Sequence, residues 1–286
     1  MSTTTQSLPD TWRAFRDERA VALCATSLAS DYKTVERWLE RCPVQDLERG
    51  REAMAWILSQ QPPKSAIRVG QYLKTLYRWA ASEDVRRLSF NPVSSFKFPK
   101  APQTDDDVTV IPKEELPFVM AALERKRKSK AKWHHWAQFM LQSGMRTGEV
   151  RAVHESDIKG DKLLVHRNHT LTHGLKNSTK TNKKRWVPLN AAALQVLEQL
   201  QPVDGFFFPW NRYSFQSFFY DRMGELEGLG LVSTQYRPYD LRHTAISSWL
   251  EAGVPVAQAA AWAGNTAEVI WKHYAGATDD YAMPVL

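Results

Sequence analysis

Cysteine is scarce in this chain. Of its 286 residues only Cys24 and Cys42 carry thiols, and neither has neighbours at metal-ligand spacing. A disulfide-stapled secreted scaffold and a zinc module are thereby excluded, and a reducing compartment is expected. No apolar run approaches the roughly 20 residues that a membrane helix needs. The opening MSTTTQSLPD is polar and lacks the features of a secretory signal. Carboxylate clusters, His/Cys sets with ligand spacing, internal repeats and low-complexity tracts are also missing. The expectation is a soluble cytoplasmic protein without metal or cofactor, and without a membrane partner.

What is present is apolar content of 43% and a formal net charge of +7. The first is enough for one large or two modest cores, and the length suits two domains. The second suits a polyanionic partner. The first third reads as helical. SDYKTVERWLERC offers Ser30 or Asp31 as a cap and places Val35, Trp38 and Leu39 on one face. DLERGREAMAWILSQ follows and stops at Pro62 and Pro63. In SAIRVGQYLKTLYRWAASE the residues Ile67, Val69, Tyr72, Leu73, Leu76, Tyr77 and Ala80 are expected to point inward, while Gln71, Lys74, Thr75 and Arg78 point outward. That outer face meets either solvent or DNA phosphate, with Lys74 and Arg78 as the candidates. FNPVSSFKFPKAPQTDDD reads as a linker at about 91–107, which divides the chain into domains 1–103 and 104–286.

The second part is mixed. IPKEELPFVMAALERKRKSK begins a helix and ends in a basic cluster centred on Lys128, read as solvated charge with a share in phosphate contact. DKLLVHRN and KKRWVPL read as strands joined by a basic polar segment. Asn190 caps the next helix. The fold class is therefore mainly α with a small antiparallel β-sheet: a helical first domain and an α+β second domain.

Two arginines stand out. In RPYDLRHTAISSWLEAG, Arg242 falls in the first turn of a helix, where the positive end of the dipole disfavours a cation. In QSGMRTGEVRAV, Arg146 opens a helix after Gly144. One account is an anion held between guanidinium and backbone N–H groups. The other is an arginine that is solvated or paired with a carboxylate. Two such positions in one domain, with a lysine-rich hairpin between them and a tyrosine-bearing helix after them, favour the anion.

These residues resemble the tyrosine recombinases, or phage integrases. Arg146 in SGMRTGEV, Lys180 in STKTNKKRWVPL, Arg242 in YDLRHT and Tyr274 in WAGNTAEVIWKHYAG match that family in order and spacing. The resemblance spans the second domain; the first resembles the family's core-DNA-binding (SAM-like) domain more loosely. It implies an enzyme that cleaves and rejoins DNA. The Tyr274 hydroxyl attacks a phosphodiester and stays joined to the 3′ phosphate, while Arg146 and Arg242 hold the non-bridging oxygens. Lys180 gives a proton to the leaving 5′ oxygen, with Lys183 and Lys184 as competitors; Lys176 and Arg185 contact phosphate. Glu149 and Asp157 brace the arginine helix and the following turn. Lys272 and His273 favour the Tyr274 phenolate.

Two positions depart from the family's commonest pattern. Tyr239 stands where histidine is usual; a phenol, ionising near pH ~10, is a poor proton shuttle. Asn265 stands where His or Trp is usual, and can donate to phosphate but cannot act as an acid. His243 is expected to be buried, hydrogen-bonded and supportive. The partners implied are double-stranded DNA with specific recombination sites, three further copies in a tetramer, and DNA-bending accessory factors. The expectation is of no additional arm-binding domain before the helical one. The expected protein is an integrase of a phage or mobile element, nucleoid-associated in the cytoplasm. A Xer-like chromosome-resolution recombinase, a type IB topoisomerase and a catalytically impaired DNA-binding protein are the alternatives.

Overall fold

The computed structural model describes residues 7–23, 27–60, 63–99, 108–124, 131–170, 174–177 and 183–274. The chain divides into two compact units, Met1–Thr104 and Asp105–Leu286.

The first unit is a helical bundle. Helix α1 (Leu8–Arg19) starts at Ser7, whose hydroxyl accepts from Asp10 N, and has Pro9 in its first turn. Helix α2 (Lys33–Arg41) is entered through a π turn, Leu28–Tyr32. Helix α3 (Gly50–Ser59) is entered through the 3-10 turn Leu47–Arg49, and α4 spans Pro63–Ala80. Leu8, Trp12 and Phe15 of α1 pack on Val35 and Leu39 of α2 and on Leu73 of α4. Arg16 ties α1 to α2 through Glu36 at 3.0 Å. The helix expected to begin at Ser30 or Asp31 instead runs through both, because the π turn feeds directly into α2.

The second unit is α+β. Helices α5 (Leu116–Glu124), α6 (Trp133–Ser143), α8 (Ala191–Glu198) and α9 (Arg212–Gly228) surround an aromatic core in which Trp136 stacks on Phe215 at 5.1 Å. Truncating such a ring to alanine costs about 3–5 kcal/mol. Short helix α7 (Thr147–Val150) follows α6. Three strands, β1 (Ile158–Lys159), β2 (Lys162–Val165) and β5 (Arg185–Pro188), form an antiparallel sheet in the order β1-β2-β5, with Leu163 opposite Val187. Between β2 and β5 lies a second hairpin, β3 (Asn168–Thr170) with β4 (Gly174–Lys176), which the sequence left as a polar connection.

Three helices complete the unit: α10 (Asp240–Glu251), α11 (Val256–Ala263) and α12 (Ala267–Tyr274). Ile246 and Leu250 of α10, Ala259, Ala260 and Ala263 of α11, and Ile270 of α12 form their own core. The alanines let the helices approach closely, and Tyr274 is packed into the same cluster. α10 also packs against α6, and α11 against β5. Among the described residues no helix is long and apolar enough to cross a membrane.

Candidate active site

A helix leaves its last carbonyls without intrahelical donors and carries partial negative charge there. At the end of α11 three guanidinium groups take up three successive carbonyls. Arg185 Nε donates to Trp262 O at 2.7 Å, Arg242 Nη2 to Ala263 O at 2.8 Å, and Arg146 Nη2 to Gly264 O at 2.9 Å. The next residue joins in: Asn265 Oδ1 accepts from Arg146 Nη2 at 2.8 Å and from Arg242 Nη2 at 3.2 Å. Gly264 makes the turn with φ of 67°. A Cβ there would come within 2.9 Å of Arg185 Nη1.

The placement of Arg242 is now explained. It begins α10, where its own helix dipole opposes it, but its guanidinium lies at the C-terminal ends of two other helices. Nη1 donates to Gly144 O, the left-handed cap of α6, at 2.5 Å. The residue is 1% exposed. Burial, with some help from Arg146 and Arg185, pushes its ionisation down to about 10, so it stays charged at neutral pH.

Glu149 is the counter-ion. It is 2% exposed and receives Arg185 through two bonds, Nη1 to Oε1 at 3.0 Å and Nη2 to Oε2 at 2.7 Å. Arg146 adds Nη1 to Oε1 at 3.0 Å and its backbone N to Oε2 at 3.0 Å. Burial alone would raise this carboxyl, but the hydrogen bonds and charge of Arg185, with the charge of Arg146, hold it below its ordinary value. Arg185, expected on phosphate, is therefore corrected: its guanidinium is turned inward to join β5, α7 and the end of α11. Asp157 likewise braces from within, 2.9 Å from His166 Nε2 and 3.3 Å from Arg167 Nη2.

Tyr274 ends α12 and is 6% exposed. Its Oη lies 2.6 Å from His243 Nδ1. Burial pushes the phenol above its ordinary value, and Arg242 opposes that only in part. The expectation that Lys272 and His273 would ease ionisation is thus overturned by desolvation. The same burial pushes His243 down to about 4, against the pull of Asp240 and with Arg242, Arg237 and His273 adding to the fall. Tyr239 is 39% exposed; its ring lies 5.8 Å from the Arg242 guanidinium and meets His243 edge-on at 4.9 Å.

The structure thus brings Arg146, Glu149, Tyr239, Arg242, His243, Asn265 and Tyr274 into one neighbourhood. Lys180 and Lys128 lie outside the described residues. Lys183 and Lys184 are exposed just before β5, and Lys176 is half-buried in β4. In the first unit Arg78 is exposed, whereas Lys74 is half-buried and donates to Phe96 O at 3.0 Å. Among the described residues no group of three or more His, Cys, Asp or Glu is placed to hold a metal ion. The carbonyl hub at the end of α11 was missed. Its sequence signal is Gly264 after an alanine-rich helix, which marks a helix end but not the donors that converge on it.

Solved structures with the same fold include the Tn1549 transposon integrase (residues 82–397) in complex with circular intermediate DNA. It matches with a TM-score of 0.75 at 14% identity, over 94% of this chain and 94% of that one. A lambda integrase dimer bound to a COC′ core site matches with a TM-score of 0.72 at 15% identity, over 98% of this chain and 80% of that one. A lambda integrase tetramer bound to a Holliday junction matches at 0.69 and 15%, over 93% and 79%. No curated protein gives a significant match. The model of the phage integrase family matches residues 109–280, more than half of the chain, and that span holds Arg146, Arg242 and Tyr274. The chain belongs to the phage integrase family, the tyrosine recombinases.

Proposed function

We propose that this protein is a site-specific DNA recombinase that integrates or excises a phage or mobile element through a 3′-phosphotyrosine intermediate. The observation that carries the reading is the convergence of Arg146 and Arg242 on one asparagine oxygen beside a buried tyrosine. The two guanidinium groups hold the non-bridging oxygens of a DNA phosphate as charge builds on them, and losing one costs about 10²–10³-fold in rate. Tyr274 Oη attacks phosphorus, the bond to the 5′ oxygen breaks, and Lys180 protonates that oxygen. A second strand's 5′ hydroxyl then displaces the tyrosine, so the phosphodiester is remade without ATP. Asn265, with Oδ1 on the arginines, turns its Nδ2 donors to the phosphate.

The solved neighbours are bound to DNA, and some are dimers or a tetramer. By that analogy this chain acts as a tetramer on double-stranded DNA in the nucleoid. Lys74, Arg78, Lys128, Lys176, Lys183 and Lys184 supply phosphate contacts, and bending factors assist. The test is a covalent trap. Nicked duplexes cut from the DNA flanking its own gene are mixed with the protein and denatured in detergent. A slower protein–DNA band that vanishes in Tyr274→Phe, with affinity kept, supports the reading. Tight binding with no band on any duplex refutes it in favour of a DNA-binding protein without catalysis.

A further inference from the structure

We propose that His243 is the general base that takes the proton from Tyr274 Oη as the tyrosine attacks DNA. The inference rests on the proposed function and deepens it, because it assigns a proton acceptor that the substitution at Tyr239 leaves vacant.

Nδ1 of His243 stands 2.6 Å from Tyr274 Oη, within the reach a general base requires. His243 lies one helical turn after Tyr239, so both side chains share a face of α10. Their rings meet edge-on at 4.9 Å. Position 239 therefore presents a phenol, a poor proton shuttle, while the imidazole set edge-on to it reaches the nucleophile. The ring is also held: Tyr239 covers one side, and Tyr274 is fixed by the core that joins α10, α11 and α12.

The Oη–H proton passes to Nδ1 while an Oη lone pair forms the bond to phosphorus and the bond to the 5′ oxygen breaks. The leaving oxygen receives its proton from a separate acid, which the proposed function places at Lys180. On rejoining, the incoming 5′ hydroxyl returns its proton to that acid, and the imidazolium returns its own to Oη. The step requires the neutral tautomer with hydrogen on Nε2, so that Nδ1 accepts.

The electrostatics fit this sequence. The groups facing the imidazole are Asp240 and Arg242 on α10, Arg237 and Tyr239 in the turn before it, and His273 and Tyr274 on α12. Burial and the cations keep His243 neutral down to about pH 4 in the free protein. At neutral pH its Nδ1 therefore carries no proton and is open, but so low a value makes it a weak base in the free protein. A bound phosphate adds negative charge and cancels part of the field of Arg242, which raises the basicity of His243 when it is needed.

Two experiments test the proposal. In the free full-length protein, nitrogen-detected NMR of the imidazole should find the Nε2–H tautomer; the Nδ1–H tautomer overturns the proposal, since Nδ1 could not accept. In the covalent trap, His243→Gln retains a polar side chain near Oη but removes the base. It should slow adduct formation by about 10²-fold or more at neutral pH with DNA affinity unchanged. Its rate should then climb about tenfold per pH unit as phenolate accumulates. A fluorinated tyrosine at position 274, which ionises more easily, should shrink the deficit, whereas a merely structural histidine would leave the deficit unmoved. Adduct formation in His243→Gln within about threefold of wild type, or a deficit that fluorination does not change, overturns the proposal alone. No adduct with wild-type protein overturns the reading of the site, and this inference with it.

Discussion

Replacing Glu149 with glutamine tests whether the arginine cluster is held by charge. The carboxylate is 2% exposed and accepts from both Arg146 and Arg185, including the backbone N of Arg146. Glutamine has the same shape but only one acceptor oxygen. Its amide nitrogen would face donors at the position of Oε2, where Arg146 N and Arg185 Nη2 now bind. Three guanidinium groups would then share one small region with no counter-ion. Breaking a buried pair in this way costs about 3–5 kcal/mol. For a unit of this size each kcal/mol lowers Tm by about 2–4 °C, so Glu149→Gln should lose roughly 6–20 °C. The assay is thermal unfolding followed by circular dichroism, with exposed Glu155→Gln as control. Added phosphate should restore more stability to the variant than to wild type, because an anion replaces the missing charge. A loss below about 1 kcal/mol would refute the argument and mean that the backbone carbonyls alone suffice.

Three further outcomes follow from the same geometry. Asn265→Asp places a carboxylate where Oδ1 now sits, 2.8 and 3.2 Å from the two arginines; Tm should rise while covalent trapping falls by about 10²-fold or more, and unchanged trapping would remove Arg146 and Arg242 as the phosphate clamp. Gly264→Ala must adopt a φ of 67° and push on Arg185, so it should cost about 1–3 kcal/mol, read as a drop in Tm; an unchanged Tm would show that this turn relaxes freely. Acid should weaken the fold through His243. The unfolded chain takes up this proton below about pH 6.5, the folded one only near about 4, so stability present at neutral pH is lost as pH falls through that window. Tm measured between these limits should fall less in His243→Gln, and parallel curves would rule His243 out as the cause.

The residues that the fold gathers were legible because they lie in short contiguous strings: GMRTGE and DLRHT each carry their own helix start. The helical first unit was legible from periodicity, although α1 was passed over and α2 was entered through a π turn that no capping residue announces. The hairpin β3–β4 was not legible. Its three-residue strands hold a single large apolar side chain, the exposed Leu175, so no apolar alternation marks them. Arg185 was misread for a different reason. In sequence it belongs to a basic run, and only the fold brings Glu149 and Trp262 O to it. His243 was read as a hydrogen-bonded support, and it does bond Tyr274; that partner was not legible, because it depends on α12 packing beside the face His243 shares with Tyr239. The ease of ionisation expected for Tyr274 from its basic neighbours failed because charge at the surface does not outweigh burial of the oxygen.

The use of backbone carbonyls explains how a site for an anion can be rigid before the anion arrives. Clustered guanidinium groups repel one another, and acids are the usual remedy. Each acid, however, cancels charge that the proposed reaction needs for the phosphate. Here three arginines face one carboxylate, which leaves a net +2. The remaining cohesion comes from the carbonyl dipoles of Gly144, Trp262, Ala263 and Gly264 and from the neutral amide of Asn265. Dipoles orient the donors and lower the repulsion without neutralising anything. They also need no reorganisation as negative charge develops, which is the condition under which fixed donors accelerate a reaction most. A cation in the first turn of α10 is thus unfavourable only for α10; across the unit, the ends of α6 and α11 turn it into a fixed point of the site.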